Sequence, residues 1–263
     1  METRKSIRVV WALLITCSLM LIGIHPASAY QATKAVCPQK ADQKLTQVAR
    51  GEKPAPTGAW RSTEGVIGNF AARYRPVNTD CTGTLYGSGV FMRLINSSGK
   101  VTNDYVGIEW NFYEDGNPDT PDFAVWSEAK INGNFSTGGS CFTTGCLTAI
   151  GWAIGGYCDY KVNRVSGTTD WNAWINCNAG AFELIGTFSN TGYGKGVATS
   201  ATWRRGGTAT GMEDAFQTLQ YRNSNGVWNY WTHNKLYNDD ANGWESSSII
   251  DTAYHVTSCS SPC

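Results

Sequence analysis

From Asp104 to Glu114 the side chains alternate in character residue by residue, and the pattern returns from Phe123 to Ile131. In the first run Val106, Ile108, Trp110 and Phe112 share one side of an extended chain. Tyr105, Gly107, Glu109, Asn111 and Tyr113 share the other. In the second run Phe123, Val125, Ala129 and Ile131 oppose Ala124, Trp126, Glu128 and Lys130. A period of two is the signature of a half-buried strand, because successive Cβ atoms point to opposite faces of a sheet. These stretches are therefore committed to a sheet with one apolar face. The other face carries acids and aromatic rings.

Further segments follow the same logic. Gly89 to Ile95 is apolar-rich and ends at the turn Asn96-Ser97-Ser98-Gly99. Tyr157 to Val165, Trp171 to Asn176, Ala181 to Phe188, Val197 to Arg204 and Tyr254 to Thr257 also read as strands. Phe216 to Arg222 and Val227 to Thr232 flank Asn223-Ser224-Asn225-Gly226, which predicts a hairpin. The 29 glycines and 12% aromatic residues suit strands joined by tight turns. The fold class expected is all-β: an antiparallel β-sandwich of jelly-roll type, stapled by disulfides. Helix is expected only in the polar stretch Lys40 to Lys53, with Leu45 and Val48 on one side, and as a turn near Met212 to Phe216.

The N-terminus reads as a leader. Arg4, Lys5 and Arg8 precede an apolar run from Val9 to Ile24, and Ala27-Ser28-Ala29 supplies an A-x-A cleavage pattern. The expected organisation is a signal peptide over 1–29, an N-terminal arm or removable pro-segment over 30–58, and a β-sandwich domain over 59–263. Pro54-Ala55-Pro56-Thr57-Gly58 separates the last two. The expected location is outside the cell, with no membrane attachment once the leader is removed. Of the nine cysteines, Cys17 falls within the leader. Cys37, Cys81, Cys141, Cys146, Cys158, Cys177, Cys259 and Cys263 remain. An even number in an oxidising compartment reads as disulfides, with the connectivity left open. Cys141 with Cys146 and Cys259 with Cys263 are near enough in sequence to close small loops.

Charge excludes one class of function. Lys and Arg number 21 against 21 Asp and Glu, whereas a nucleic-acid binder needs clustered basic charge. There is no C-x-x-C pair, so no metal site is expected, and no cofactor either. Asp115-Gly116-Asn117-Pro118-Asp119 opens like a calcium loop. Thr120 stands where that loop needs Gly and Trp126 where it needs Glu, so the segment reads as an acidic turn.

Two constellations bear on chemistry. Glu109 and Glu128 each sit mid-strand on the polar side of an alternating run. If the two strands are neighbours, both carboxylates line one face, and such a pair can hydrolyse a glycoside as acid and nucleophile or base. The second constellation is aromatic. Trp110 falls on the apolar side of its strand and belongs to the core. Trp126 falls beside Glu128 and suits an open groove, where a flat ring stacks on sugars or clamps an extended chain.

Gly107-Ile108-Glu109-Trp110, then an Asp/Gly turn, then Val125-Trp126-Ser127-Glu128, resembles the eqolisin-type glutamic peptidases and is similar to the plant neprosin-like group. The resemblance spans roughly residues 100–235 and implies a secreted, concanavalin A-like β-sandwich. Ala201-Thr202-Trp203 falls where the eqolisin pattern has Ala-Glu-Trp. Tyr105 stands where that family has its catalytic Gln, or Glu in the neprosin-like group, and Thr202 where it has its second Glu. Neither can serve as the carboxylate base of that chemistry. The resemblance thus implies fold and export, and Tyr105, Trp126, Thr202 and Trp203 are expected to bind ligand.

Three readings follow. The first is a secreted module that binds a glycan or other extended polymer, such as a polysaccharide or extended polypeptide, in an aromatic and acidic groove without catalysis. The second is a secreted acid hydrolase, peptidase or glycosidase, that uses Glu109 and Glu128. The third is a structural or partner-binding exported protein.

Overall fold

Antiparallel pairing of the alternating segments builds the whole architecture. It is seen in a computed structural model that describes residues 46–52, 62–71, 85–113, 123–205, 213–231, 235–238, 244–250 and 253–258. The strands, in chain order, are β1 (Thr46–Glu52), β2 (Gly65–Ala71), β3 (Leu85–Ile95), β4 (Val101–Tyr113), β5 (Phe123–Ile131), β6 (Asn134–Cys141), β7 (Tyr157–Arg164), β8 (Trp171–Asn176), β9 (Glu183–Phe188), β10 (Gly196–Arg205), β11 (Glu213–Arg222), β12 (Trp228–Tyr230), β13 (Lys235–Asn238), β14 (Trp244–Ile250) and β15 (Ala253–Ser258). One short helix, α1 (Thr144–Ala149), lies between β6 and β7. The expected antiparallel sandwich is present. Sheet A runs β13-β1-β10-β3-β4-β5-β6, and sheet B runs β14-β15-β11-β2-β7-β8-β9 with β12 alongside β11.

The core lies between the sheets. Sheet A contributes Val90, Met92, Val106, Ile108, Trp110 and Val125; sheet B contributes Phe70, Tyr160, Val162, Trp171, Ile175 and Phe216. The apolar side of β4 therefore faces inward, and Trp110 is fully buried. Phe70 stacks on Tyr160 with ring centroids 4.1 Å apart and leans on Phe216 at 4.8 Å. The side carrying Tyr105, Glu109, Trp126 and Glu128 is left on the outer face of sheet A.

Two disulfides form among the described residues. Cys141, at the end of β6, bonds Cys146 in α1 with Cα atoms 5.5 Å apart, and fastens the crossing from sheet A to sheet B. Cys158 in β7 bonds Cys177, which follows β8, at 4.2 Å between Cα atoms. Cys37, Cys81, Cys259 and Cys263 lie outside the described residues, as do the leader and the Asp115–Asp122 turn. Among the described residues no helix is long and apolar enough to cross a membrane.

Three expectations are corrected. Within Lys40 to Lys53, the stretch Thr46–Glu52 is a strand, paired to β10 on one side and β13 on the other. Neighbours on both edges satisfy its backbone groups, which outweighs a weak local preference for helix. The turn expected near Met212 to Phe216 is the start of β11, paired to β15. The third correction is a helix outside both stretches, Thr144–Ala149, where the Thr143 hydroxyl caps the first turn by accepting from the Cys146 N–H. The hairpin at Asn223–Gly226 forms as expected. The Asn223 carboxamide oxygen accepts the N–H groups of Asn225 and Val227, and Gly226 takes a φ of 78° that favours glycine.

Candidate active site

The site is a set of cross-strand rows on the outer face of sheet A. In the central row Thr199 of β10, Phe91 of β3, Gly107 of β4 and Glu128 of β5 stand opposite one another in turn. One row along, Ala201, Gly89, Glu109 and Trp126 do the same. On the other side, Arg93 faces Tyr105 and Tyr105 faces Lys130. Glu128 thus has Tyr105 and Glu109 as its two diagonal neighbours on β4, and diagonal positions in an antiparallel pair lie about 7–8 Å apart.

Glycine makes room on this face for the Phe91 ring. Gly107 has no side chain between Tyr105 and Glu109, and the Phe91 ring lies over it. A Cβ at Gly107 would fall 2.2 Å from Phe91 Cδ1. A Cβ at Gly89 would fall 2.6 Å from the Cβ of Glu109. On the far side, Gly138 is an extra residue in β6, so that Ser127 faces Gly139 while Glu128 faces Thr137. Such a bulge re-aims the local side chains.

The Tyr105 hydroxyl donates a hydrogen bond to Glu128 Oε1. The Phe91 ring meets Tyr105 edge-on at 5.7 Å, and Phe135 meets it from β6 at 6.5 Å. Phe135 is 68% exposed, and the Lys130 ammonium lies 5.3 Å from its centroid. Glu109 keeps only 4% of its surface exposed, although it lies outside the core. The Asn111 amide donates to its Oε1 at 3.0 Å. The other end of that amide, Asn111 Oδ1, is buried without a partner among the described residues.

Burial raises the Glu128 carboxyl above its ordinary value of 4.5, against the opposing pull of the Tyr105 hydrogen bond. Burial also pushes the Tyr105 phenol far up, reinforced by the Glu128 and Glu109 charges, so it stays a hydrogen donor at every working pH. The arrangement can hold a proton on Glu128 in mild acid beside a second, more deeply buried acid, Glu109.

Tyr105, Glu109, Trp126 and Glu128 are thus brought onto one face within neighbouring rows. Thr202 and Trp203 are in β10, opposite Ser88 and Gly87 of β3. Their side chains lie outside the described residues.

No family model matches this chain, and none of the curated proteins matches it. Among solved structures it is similar to Scytalido-glutamic peptidase bound to a peptide-based transition-state analogue. That match has 10% identity and a TM-score of 0.48, and covers 82% of this chain and 98% of that one. It is also similar to SCP-B, a member of the eqolisin family of peptidases in complex with the tripeptide Ala-Ile-His. Here identity is 12% and the TM-score 0.45, again over 82% of this chain and 98% of the other. These are the peptidases that the Gly107–Trp110 and Val125–Glu128 segments resemble. Likeness at this level assigns no role to any residue.

Sequence reasoning passed over Phe91, Asn111 and Phe135. Phe91 had a visible signal, since Gly89, Phe91 and Arg93 alternate with the core residues Val90, Met92 and Leu94. Asn111 is on the same side of β4 as Glu109, but nothing local shows that its amide turns back on that carboxylate. Phe135 stands in a strand too polar and exposed to be read as one.

Proposed function

We propose that the chain is an exported hydrolase that cleaves an extended polymer in mild acid on the outer face of sheet A. Glu128 is the proton donor to the leaving group, and Glu109 draws a proton from the attacking water. Its slight exposure suits contact through a single water. Tyr105 orients Glu128, and Trp126, directly across from Glu109, is the ring against which the polymer lies. The observation that carries this reading is the hydrogen bond from Tyr105 to a half-buried Glu128 whose carboxyl is raised above its ordinary value. Two carboxylates with different surroundings in diagonal positions are a recurrent acid/base arrangement. The leader pattern and the two disulfides support export.

The test is zymography of the mature protein on protein and polysaccharide gels between about pH 3 and pH 7. Clearing is expected at the acid end. Glu128→Gln should reduce it by about 100-fold or more, the scale of a lost general acid. Absence of clearing on every gel, or full activity of Glu128→Gln, sinks this reading.

A second reading, binding of the polymer without cleavage, is favoured by a different observation. Half-buried Trp126 stands in the row next to that of Phe91, whose ring lies over Gly89 and Gly107, so aromatic rings line this part of the face. Under that reading a polysaccharide pull-down is positive while the gels stay blank, and Trp126→Ala weakens the pull-down.

A further inference from the structure

Sheet B carries a second polar site on its own outer face. Trp228 of β12 faces Arg222 of β11, Arg222 faces Gly65 of β2, Gly65 faces Asn163 of β7, and Asn163 faces Asn172 of β8. In the next row Lys161 faces Trp174. These rows enclose an open cavity of about 410 Å³, lined by Lys161, Asn163, Arg164, Asn172, Arg222 and Trp228 among others. Its size falls within the roughly 300–1,000 Å³ of small-ligand sites.

The charges in this cavity are unbalanced. Arg164 pairs with Glu64, and its Nη1 donates to the Thr168 carbonyl at 2.9 Å. Its Nε is buried without a partner among the described residues. Arg222 is held by carbonyls alone, donating from Nε to Gly226 at 3.3 Å and from Nη1 to Arg164 at 3.1 Å. The Lys161 ammonium lies 3.6 Å from the Phe182 centroid and 5.0 Å from that of Trp174. Among the described residues neither Lys161 nor Arg222 has a carboxylate partner. The nearest acid along β7, Asp159, accepts from the Asn69 amide at 2.8 Å. Burial, and then the Arg222 charge, push the Lys161 ammonium below its ordinary value. An anion placed between the two cations removes that repulsion.

The walls say which anion. A Cβ on Gly65 would fall 2.9 Å from the Cη2 atom of Trp228, so the far edge of the indole packs against backbone that carries no side chain. Asn163 uses its amide N–H on the Arg164 carbonyl, which leaves its oxygen to the cavity. Asn172 accepts from Thr187 through its oxygen, which leaves its N–H groups. A flat ring, one acceptor, one donor and two cations together match a sugar ring bearing a carboxylate.

We propose that this pocket binds an acidic sugar, a uronate unit of a polysaccharide. The carboxylate lies between Lys161 and Arg222, the apolar sugar face rests on Trp228, and the hydroxyls reach Asn163 and Asn172. The site lies on the sheet opposite Glu128 and stands whether or not sheet A is catalytic.

The experiment is calorimetric titration of the mature protein with a three-unit oligouronate, the neutral oligosaccharide of the same length, inorganic sulfate and triglutamate. The oligouronate should bind at least about tenfold more tightly than any of the other three. Raised salt should weaken it, because the attraction is screened. Lys161→Met and Trp228→Leu should each weaken binding about tenfold or more, while Glu128→Gln leaves it unchanged and so separates this site from the one on sheet A. Equal binding of the neutral sugar, sulfate or triglutamate overturns the proposal. So does the absence of oligouronate binding, or binding indifferent to salt. The salt titration uses the unsubstituted protein and holds even if a variant fails to fold.

Discussion

Tyr105 and Glu128 meet on the diagonal beside Gly107, whose backbone the Phe91 ring covers. The phenol donates to Glu128 Oε1 from the diagonal position on the neighbouring strand, and the Phe91 ring packs edge-on against the phenol. The contact exists because Gly107, not a larger residue, faces Glu128. It joins a permanent donor to a carboxyl that burial makes reluctant to ionise.

Tyr105→Phe removes a donor that favours the ionised form of Glu128, while leaving the ring in place. The Glu128 carboxyl should therefore titrate higher still, because the lost hydrogen bond favoured its charged form. NMR titration of glutamate carboxyl carbons measures it directly. A downward movement would show that the phenol does not stabilise the carboxylate.

Glu128 also sets a pH dependence of stability. Its folded value lies above the ordinary 4.5, so the folded chain holds the proton more tightly than the unfolded chain. Stability should fall as pH rises from about 4.5 through the folded value, then level off. Glu128→Gln keeps an acceptor for Tyr105 and removes the ionisation. Its urea midpoint should match the parent near about pH 4 and exceed it near about pH 7. A lower midpoint for the variant near pH 7 contradicts this account.

Gly107→Ala should destabilise the fold by about 1–3 kcal/mol, the usual cost of forcing a methyl group into packed space. The new Cβ would sit 2.2 Å from Phe91 Cδ1. Adding Phe91→Leu should recover part of the loss, so a double-mutant cycle of melting temperatures gives a favourable coupling. Independent, additive losses would mean that the two residues do not share this space.

Removal of the Cys158–Cys177 bond by paired alanine substitutions should cost about 3 kcal/mol, since it closes a loop with a sequence separation of 19. The Cys141–Cys146 bond spans only 5 positions and should cost less. Thermal melts rank the two. Free-thiol titration of the unfolded, unreduced mature protein should find essentially none; two or more free thiols per chain would reject full oxidation.

Local residue order dictates which segments extend and which of their sides is apolar. Phe123–Ile131 and Trp171–Asn176 form with the bounds their composition predicts. Alternation along β4 also separated core Trp110 from Glu109 on the other face. These are properties of neighbouring residues, written locally by the reversal of successive Cβ directions. Tertiary structure alone decided the rest. Thr46–Glu52 became a strand because β10 and β13 supply its hydrogen-bond partners. Glu109 is only 4% exposed although it stands on the polar side of its strand, a burial that alternation cannot report. Tyr105 reaches Glu128, 23 positions away, only because the β4–β5 register sets Gly107 against Glu128. The same holds for Lys161 and Arg222, which approach through the pairing of β7, β2 and β11. Register and burial depend on how separate strands dock, so the chemistry of both faces was fixed only when the sheets assembled.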